Sequence, residues 1–198
     1  MDEDGARHDH RAVLEFWVGE VGPKGWYAGG ESLDRMCRER FAAVWDAAQG
    51  EGHLGWTATP SGMLALVILL DQFPRNMFRG FGRAYASDAL ARTVAKKAID
   101  LGWDLRAGEP ERQFFYLPLM HSECLIDQER CVRLMNERLP ETGADNLLHA
   151  RAHREVIRRF GRFPHRNEEL GRASTAEETA FLAGGGYGAV VREMRVPA

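Results

Sequence analysis

Residues 59–79 read TPSGMLALVILLDQFPRNMFR, and this stretch decides the fold. Thr59 followed by Pro60 is a helix-start signal, because threonine caps a helix well and proline fits the first helical position. Residues 63–70 are apolar on every side of a helix, which indicates a central buried helix. Pro74 is expected to end this helix, because the residue before a proline is pushed out of the helical conformation.

The chain before and after this stretch carries the spacing of amphipathic helices. A helix capped by Ser32 would place one face inward, formed by Leu33, Cys37, Phe41, Val44, Trp45 and Ala48. A helix capped by Ser87 would bury Leu90, Val94, Ala98 and Ile99. A long helix from Pro118 to Leu139 would turn inward Cys124, Leu125, Cys131, Val132 and Met135.

The last third of the chain gives clear end signals. Thr142 is expected to open a helix that ends at Phe160, with Gly161 as its C-terminal cap. Ser174 or Thr175 with a following glutamate forms a capping box. Because nothing alternates with a period of two, we predict an all-α fold of about seven to nine helices in antiparallel pairs. No composition break divides it, so residues 1–198 are expected to form one domain with an ordered core from about 10 to 187.

Composition excludes several classes of protein. Apolar residues make up 44%, charged residues 28%, and the formal net charge is −3, which is ordinary for a globular protein and unlike a basic nucleic-acid binder. No apolar run approaches the 20 or so residues that span a membrane. Three cysteines without CxxC spacing and a polar start predict a cytoplasmic protein with reduced thiols, with no metal and no cofactor.

Two polar groups lie where helix formation does not require them. Asp71 and Gln72 end the most apolar helix, where a carboxylate opposes the helix dipole and needs a cation such as Arg75 or Arg79. This pair is either a structural buttress or part of a ligand site. His121 is expected to point inward and is either a core histidine or an acid–base group.

A further set of polar residues surrounds the second half of the chain. Glu123 lies about 200° round a regular helix from His121, which separates the two side chains. His149 and His153 share a helix face at the spacing of metal pairs, but this face also carries Ile157 and Phe160, which favours packing or hydrogen bonding over a metal. The turn after Phe160 is rich in donors, namely Arg162, His165, Arg166 and Asn167. Such a turn either forms a carboxylate or phosphate pocket or clamps Asp71, Glu123 or Glu168.

Three blocks, LLDQFPRNMFRG, FYLPLMHSECLIDQER and RFGRFPHRNEELGRASTAEETAFL, closely resemble the bacterial domain-of-unknown-function 924 family. The resemblance runs from about Val13 to Tyr187 and implies an all-helical, TPR-like right-handed superhelix without an assigned activity. It maps the family's hallmark positions onto Asp71, Gln72, Arg75, Asn76, Arg79, Tyr116, Pro118, His121, Ser122, Glu123, His153, Arg162, His165, Arg166 and Asn167. Cys124 and the loop YAGG after Trp26 depart from the pattern of the family.

Two functions remain open from the sequence. In the first, the three blocks bind a small anionic ligand through Asp71, Gln72, Arg75, Asn76, Arg79, Tyr116, His153, Arg162, Arg166 and Asn167, with His121, Glu123 and His165 as candidate catalytic residues. In the second, the protein is a scaffold for a peptide or protein partner, with an exposed Trp26–Tyr27 loop as a contact point and a structural role for the polar cluster. Neither nucleic acid nor membrane is an expected partner.

Overall fold

The computed structural model describes residues 9–50 and 53–195, and every regular element in these ranges is helical. The predicted all-α fold is confirmed. The contacts group the chain into two compact units, the first ending at Pro118 and the second beginning at Leu119. The TPR-like superhelix and the single domain over residues 1–198 stay predictions.

The described residues of the first unit contain six complete α-helices. They are α1 (His10–Leu14), α2 (Gly22–Gly25), α3 (Glu31–Ala48), α4 (Pro60–Val67), α5 (Phe73–Met77) and α6 (Asp88–Asp100). Two π-helical segments, Glu15–Val21 and Ile68–Gln72, continue α1 and α4. Short 3-10 helices cover His53–Ala58, Gly82–Tyr85, Asp104–Arg106 and Glu111–Phe115.

The core of this unit is the apolar helix predicted from residues 63–70. Every one of these residues is buried, and so are all six residues of the predicted inner face of α3. Thr59 caps α4 as expected, because its hydroxyl accepts the Gly62 N–H at 3.1 Å. The start of α3 differs by two residues, since its N-cap is Gly30 and not Ser32, which lies inside the first turn.

Pro74 does not end the central helix. The chain widens into the π-helical segment, where the Phe73 N–H donates to the Ile68 carbonyl, and then continues as α5. Proline has no N–H to donate to the carbonyl four residues earlier, which belongs to Leu70. The Ser87 hydroxyl donates to this carbonyl at 2.6 Å, and Trp45 Nε1 donates to Ser87 Oγ at 2.9 Å. Ser87 is the N-cap residue of α6, as predicted, but its side chain bonds to the break in the central helix and makes no capping hydrogen bond.

Only one of the two aromatic residues predicted to be exposed in the Trp26–Tyr27 loop lies at the surface. Trp26 is 5% exposed, its Nε1 donates to the Trp17 carbonyl at 2.7 Å, and its ring packs edge-on against Phe114 at 4.8 Å. Tyr27 is 61% exposed. The expectation that Trp26 is a surface contact was wrong, because this indole fills the core of the first unit.

Residues 119–195, the described part of the second unit, contain four complete α-helices. They are α8 (Leu125–Arg138), α9 (Ala144–Phe160), α10 (Ala176–Ala183) and α11 (Gly186–Arg195), with a 3-10 turn at Pro164–Arg166. The short α7 (Leu117–Met120) precedes them and contains the division between the units. The core of the second unit is formed by Ala152, Val156, Ile157, Phe163, Val190 and Val191.

The predicted continuous helix from Pro118 to Leu139 was wrong, because the chain leaves the helix at residues 121–124. The buried Gln128 amide nitrogen donates to the carbonyls of Met120 and Ser122 at 2.6 Å each, so these acceptors do not need the N–H groups of a continuing helix. Cys124 and Leu125 are consequently exposed, contrary to prediction.

The helix ends in this unit mostly agree with the sequence. Gly161 caps α9 with a left-handed φ of 68°, and its N–H donates to the Ile157 carbonyl at 2.9 Å. Thr175 and Glu178 form the predicted capping box of α10. The start of α9 is shifted to Ala144, with Gly143 rather than Thr142 before it.

Candidate functional site

The predicted polar residues at the end of the central helix form closed ion pairs within the first unit. Arg75 donates both terminal nitrogens to the two Asp88 oxygens at 3.0 Å, and its Nη1 lies 3.4 Å from Asp71 Oδ1. The same nitrogen donates to the Asp71 carbonyl at 2.5 Å. Gln72 Nε2 donates to Asp71 Oδ2 at 2.5 Å. The buttress interpretation of Asp71 and Arg75 thus has direct geometric support.

The neighbouring residues of α5 are also engaged within the unit. Arg79 donates to both oxygens of Asp34 at 2.9 Å, and the Asn76 amide donates to the Gln72 carbonyl at 3.1 Å. Tyr116, further along the chain, is buried and its hydroxyl donates to Asp104 Oδ2 at 2.6 Å. These contacts tie helix ends and turns together.

In the second unit, Arg162 and Asn167 clamp one carboxylate. Arg162 donates from Nε and Nη2 to the two oxygens of the buried Glu178, at 2.6 and 2.7 Å. The Asn167 amide donates to Ser174 Oγ at 3.0 Å and to Glu178 Oε2 at 3.3 Å. The hydrogen bonds from Arg162, and next from the Thr175 backbone, lower the pKa of Glu178 to about 2.

Glu123 is held by a second clamp, which includes an arginine that the sequence analysis did not single out. Arg172 donates to both Glu123 oxygens at 2.7 and 3.0 Å, and the Phe163 N–H donates to Oε1 at 2.7 Å. Burial acts to raise the pKa of Glu123, but the hydrogen bonds from Arg172 and Phe163 outweigh it and the pKa lies below its usual value. Glu123 is therefore an ionised anchor of the turn that follows α9.

A group of basic side chains surrounds the buried ring of Phe163. The His153 ring lies 5.4 Å from it edge-on, the His165 ring lies 5.6 Å away, and the Arg166 guanidinium carbon stands 4.5 Å over it. His121 joins the group through His153, at 6.3 Å between ring centroids. We call His121, His153, His165 and Arg166 the histidine–arginine cluster. The break in the helix at residues 121–124 is what places His121 in this turn.

The charges of the cluster act on each other. Burial, and after it the neighbouring His121 and Arg166, lower the pKa of His153 to about 3. His165 is exposed, yet loss of hydration against its neighbours and the charge of Arg166 still lower its pKa. Glu169 and Glu123 act on His165 in the opposite direction, more weakly than Arg166. The charge of Arg166 thus acts on both histidines, and both favour the neutral form more strongly than a free imidazole does.

A backbone carbonyl and an aromatic ring fix the orientation of His153. Its Nδ1 lies 2.8 Å from the His149 carbonyl, and the Tyr187 ring packs at 4.6 Å from its own ring. Tyr187 Oη is hydrogen-bonded to His149 Nδ1, and Asp145 Oδ2 lies 3.6 Å from the other nitrogen of His149. Tyr187 was missed by the sequence analysis, because a tyrosine after three glycines gives no signal of a contact with His149.

The predicted sites divide as follows within the parts of the chain that the structure describes. The structure brings His121, His153, His165 and Arg166 together in one unit, whereas Arg162 and Asn167 belong to the adjoining clamp. Asp71, Gln72, Arg75, Asn76, Arg79 and Tyr116 belong to the first unit. Over residues 9–50 and 53–195, no three histidine, cysteine or carboxylate side chains are grouped to hold a metal ion. Within the same ranges, none of the helices has the length and apolar character of a membrane span.

Comparison with known proteins places the chain in a family. No curated protein matches it. A solved structure of a protein of unknown function from Agrobacterium tumefaciens is similar, with 40% sequence identity and a TM-score of 0.83, over 93% of this chain and 100% of the other. The model of a family described as bacterial protein of unknown function, DUF924, matches residues 13–186. The chain therefore belongs to the DUF924 family of bacterial proteins of unknown function.

Proposed function

We propose that this protein binds a small anionic ligand, a phosphate or a carboxylate, at the histidine–arginine cluster. The observation that carries the proposal is the convergence of His153, His165 and Arg166 on the ring of Phe163, with His121 beside them. Arg166 is buried, and an anion bound beside its guanidinium would stabilise the charge that this group carries there. Arginine and imidazole N–H groups also donate strong hydrogen bonds to phosphate and carboxylate oxygens.

Two other arginines of this segment hold carboxylates of the protein itself. Arg162 and Arg172 each make a two-point contact with a carboxylate, Glu178 and Glu123 respectively. Arg166 stacks over an aromatic ring, and its charge lowers the pKa of two histidines and of Glu123. The clamps thus hold the turn in place, and the cluster is the part of it suited to a ligand.

A thermal-shift titration with inorganic phosphate, sulfate and acetate tests the proposal. A ligand at 100 times its Kd stabilises a protein by about 2.7 kcal/mol, which is roughly 5–10 °C in Tm for a chain of this size. We expect such a shift with at least one anion in the wild type. It should shrink in Arg166→Gln and in His165→Gln, the second of which changes an exposed side chain.

Arg151→Gln is the matched control, because Arg151 is exposed on α9 and its replacement removes the same charge outside the cluster. This variant should keep the full response to the anion. Equal shifts in all four proteins would mean nonspecific stabilisation and overturn the proposal. No shift with any anion, together with a lower Tm of Arg166→Gln, would also overturn it and favour the scaffold hypothesis, in which the cluster only holds helices together.

A further inference from the structure

The hydrogen bonding of His153 fixes which kind of group it can bind. Its Nδ1 faces the His149 carbonyl at 2.8 Å, and a carbonyl only accepts, so Nδ1 carries the proton. The lowered pKa of this imidazole keeps it neutral at physiological pH. Nε2 is therefore an acceptor, situated within a cluster whose other members are mainly donors.

In the part of the chain that the structure describes, the His153 ring makes its hydrogen bond through Nδ1, to the His149 carbonyl, and not through Nε2. Tyr187 packs against the ring, but its hydroxyl is hydrogen-bonded to His149 Nδ1. Phe163 presents a carbon edge or face to the ring. A polar atom beside the site is best satisfied by a ligand that brings the complementary group.

We propose that the ligand carries a hydroxyl or amino group close to its acid group, the acid being bound by Arg166 and the donor by His153 Nε2. This proposal rests on the anion-binding function proposed above and adds the chemical class of the ligand. A simple carboxylate or phosphate would bind to Arg166 and bring no donor for His153 Nε2. A hydroxy acid, an amino acid or a hydroxylated phosphate ester would bind to both Arg166 and His153.

Matched pairs of probes test this chemistry. Lactate and propionate differ by one hydroxyl, as do 2-hydroxyethyl phosphate and ethyl phosphate. We take lactate with propionate as the first pair, and 2-hydroxyethyl phosphate with ethyl phosphate as the second. The hydroxylated member of at least one pair should bind the wild type with a Kd about tenfold lower, the effect of about one good hydrogen bond.

Substitution of His153 should remove the preference without removing the anion. His153→Phe keeps a ring against Tyr187 and Phe163 but has no acceptor, so both members of a pair should bind equally. His153→Gln retains an amide oxygen and should restore part of the preference. Two-bond ¹H–¹⁵N spectra of the wild type provide a measurement without substitution: the Nε2 resonance of His153 should move with the hydroxylated probe and stay in place with its partner.

The outcomes separate the two proposals. Equal affinity of the wild type for both members of each pair, with binding lost in Arg166→Gln, would overturn the donor proposal and leave the anion site standing. No binding of any of the four probes would overturn both. A preference that persists in His153→Phe would place the donor contact elsewhere and overturn the role of His153.

Discussion

Residues 73–76 read Phe-Pro-Arg-Asn and residues 163–167 read Phe-Pro-His-Arg-Asn, yet the two arginines contact different groups. In both segments the phenylalanine and the asparagine are buried, and the proline lies at the start of a helical turn. Arg75 is enclosed by the carboxylates of Asp71 and Asp88, whereas Arg166 lies over Phe163 beside two histidines.

The difference shows that an arginine-rich sequence does not define a binding site by itself. In the first segment Arg75 makes a two-point contact with Asp88 and lies beside Asp71, which is the arrangement of a structural lock. The second segment is the proposed ligand site because Arg166, His153 and His165 meet at the ring of Phe163. Substitutions in either segment, followed by measurements of stability, test this distinction.

The largest effect is expected from Asp71→Asn. The Asp71 carboxylate is fully buried, and its removal leaves Arg75 with one carboxylate fewer in the interior. Breaking a buried pair by removal of one partner costs about 3 kcal/mol or more. Urea unfolding should show a loss of about this size.

Asp46→Asn is the control for this change. Asp46 pairs with Arg83 at 2.8 Å, and more than half of each side chain is exposed. Exposed pairs contribute at most about 1 kcal/mol. Similar losses in the two variants would contradict the idea that the first segment is a buried lock.

The fold was largely predictable from sequence because its helices bury one continuous apolar face each. The six inward residues of α3 and the apolar run of α4 follow directly from helical spacing. Pro74 was misinterpreted because the group that replaces its missing N–H is distant in sequence. Ser87, thirteen residues after the proline along the chain, supplies the donor to the Leu70 carbonyl. The break at residues 121–124 depends in the same way on Gln128, whose side chain replaces backbone donors.

The candidate site was predictable in its residues but not in its pairings. The turn from Arg162 to Asn167 contains evident donors, and the sequence left a pocket and a clamp as alternatives. Arg162 takes Glu178 as its partner, and Glu123 is held by Arg172, which is 49 residues away in sequence. Such long-range pairings have no local signal, so the sequence does not predict which donors of this turn belong to the clamp and which to the cluster.

The second effect is a pH dependence that originates in His153. The folded state keeps this imidazole neutral with a pKa of about 3, whereas the unfolded chain binds a proton near pH 6.5. Stability from this group is present above pH 6.5 and is lost as the pH falls towards 3. Between pH 7.5 and pH 5 the free energy of unfolding should fall by about 2 kcal/mol.

Comparison with His153→Phe isolates this contribution from the other titrating groups. The groups that act on His153 are His121, Arg166 and His165, and all three favour its neutral form. Urea unfolding at several pH values should give a flatter profile for the variant than for the wild type. Parallel profiles over this range would show that His153 is not kept neutral by the cluster.

The third largest effect is a loss of stability when the donor that compensates for Pro74 is removed. Ser87→Ala removes the donor to the Leu70 carbonyl and the acceptor of the Trp45 N–H, both of which are buried. Unsatisfied buried polar groups cost about 1–3 kcal/mol, so we expect a loss of about 1.5 kcal/mol in thermal or urea unfolding. Thr93→Ala removes an exposed hydroxyl on α6 and should change stability by less than about 0.5 kcal/mol. A loss no greater than that of Thr93→Ala would contradict the role of Ser87 at the break.

The smallest effect separates the clamp from the cluster within the second segment. Thr175→Ala removes the hydroxyl that accepts the Glu178 N–H at 3.2 Å in the capping box. Loss of such a cap costs about 1 kcal/mol, so the Tm should fall by a few degrees. The Tm shift caused by phosphate should nevertheless equal that of the wild type, because Thr175 supports Glu178 and Arg162 but does not contact the ring of Phe163. A smaller phosphate shift in Thr175→Ala would show that clamp and cluster act as one unit, and the contrast between Arg162 and Arg166 would then no longer hold.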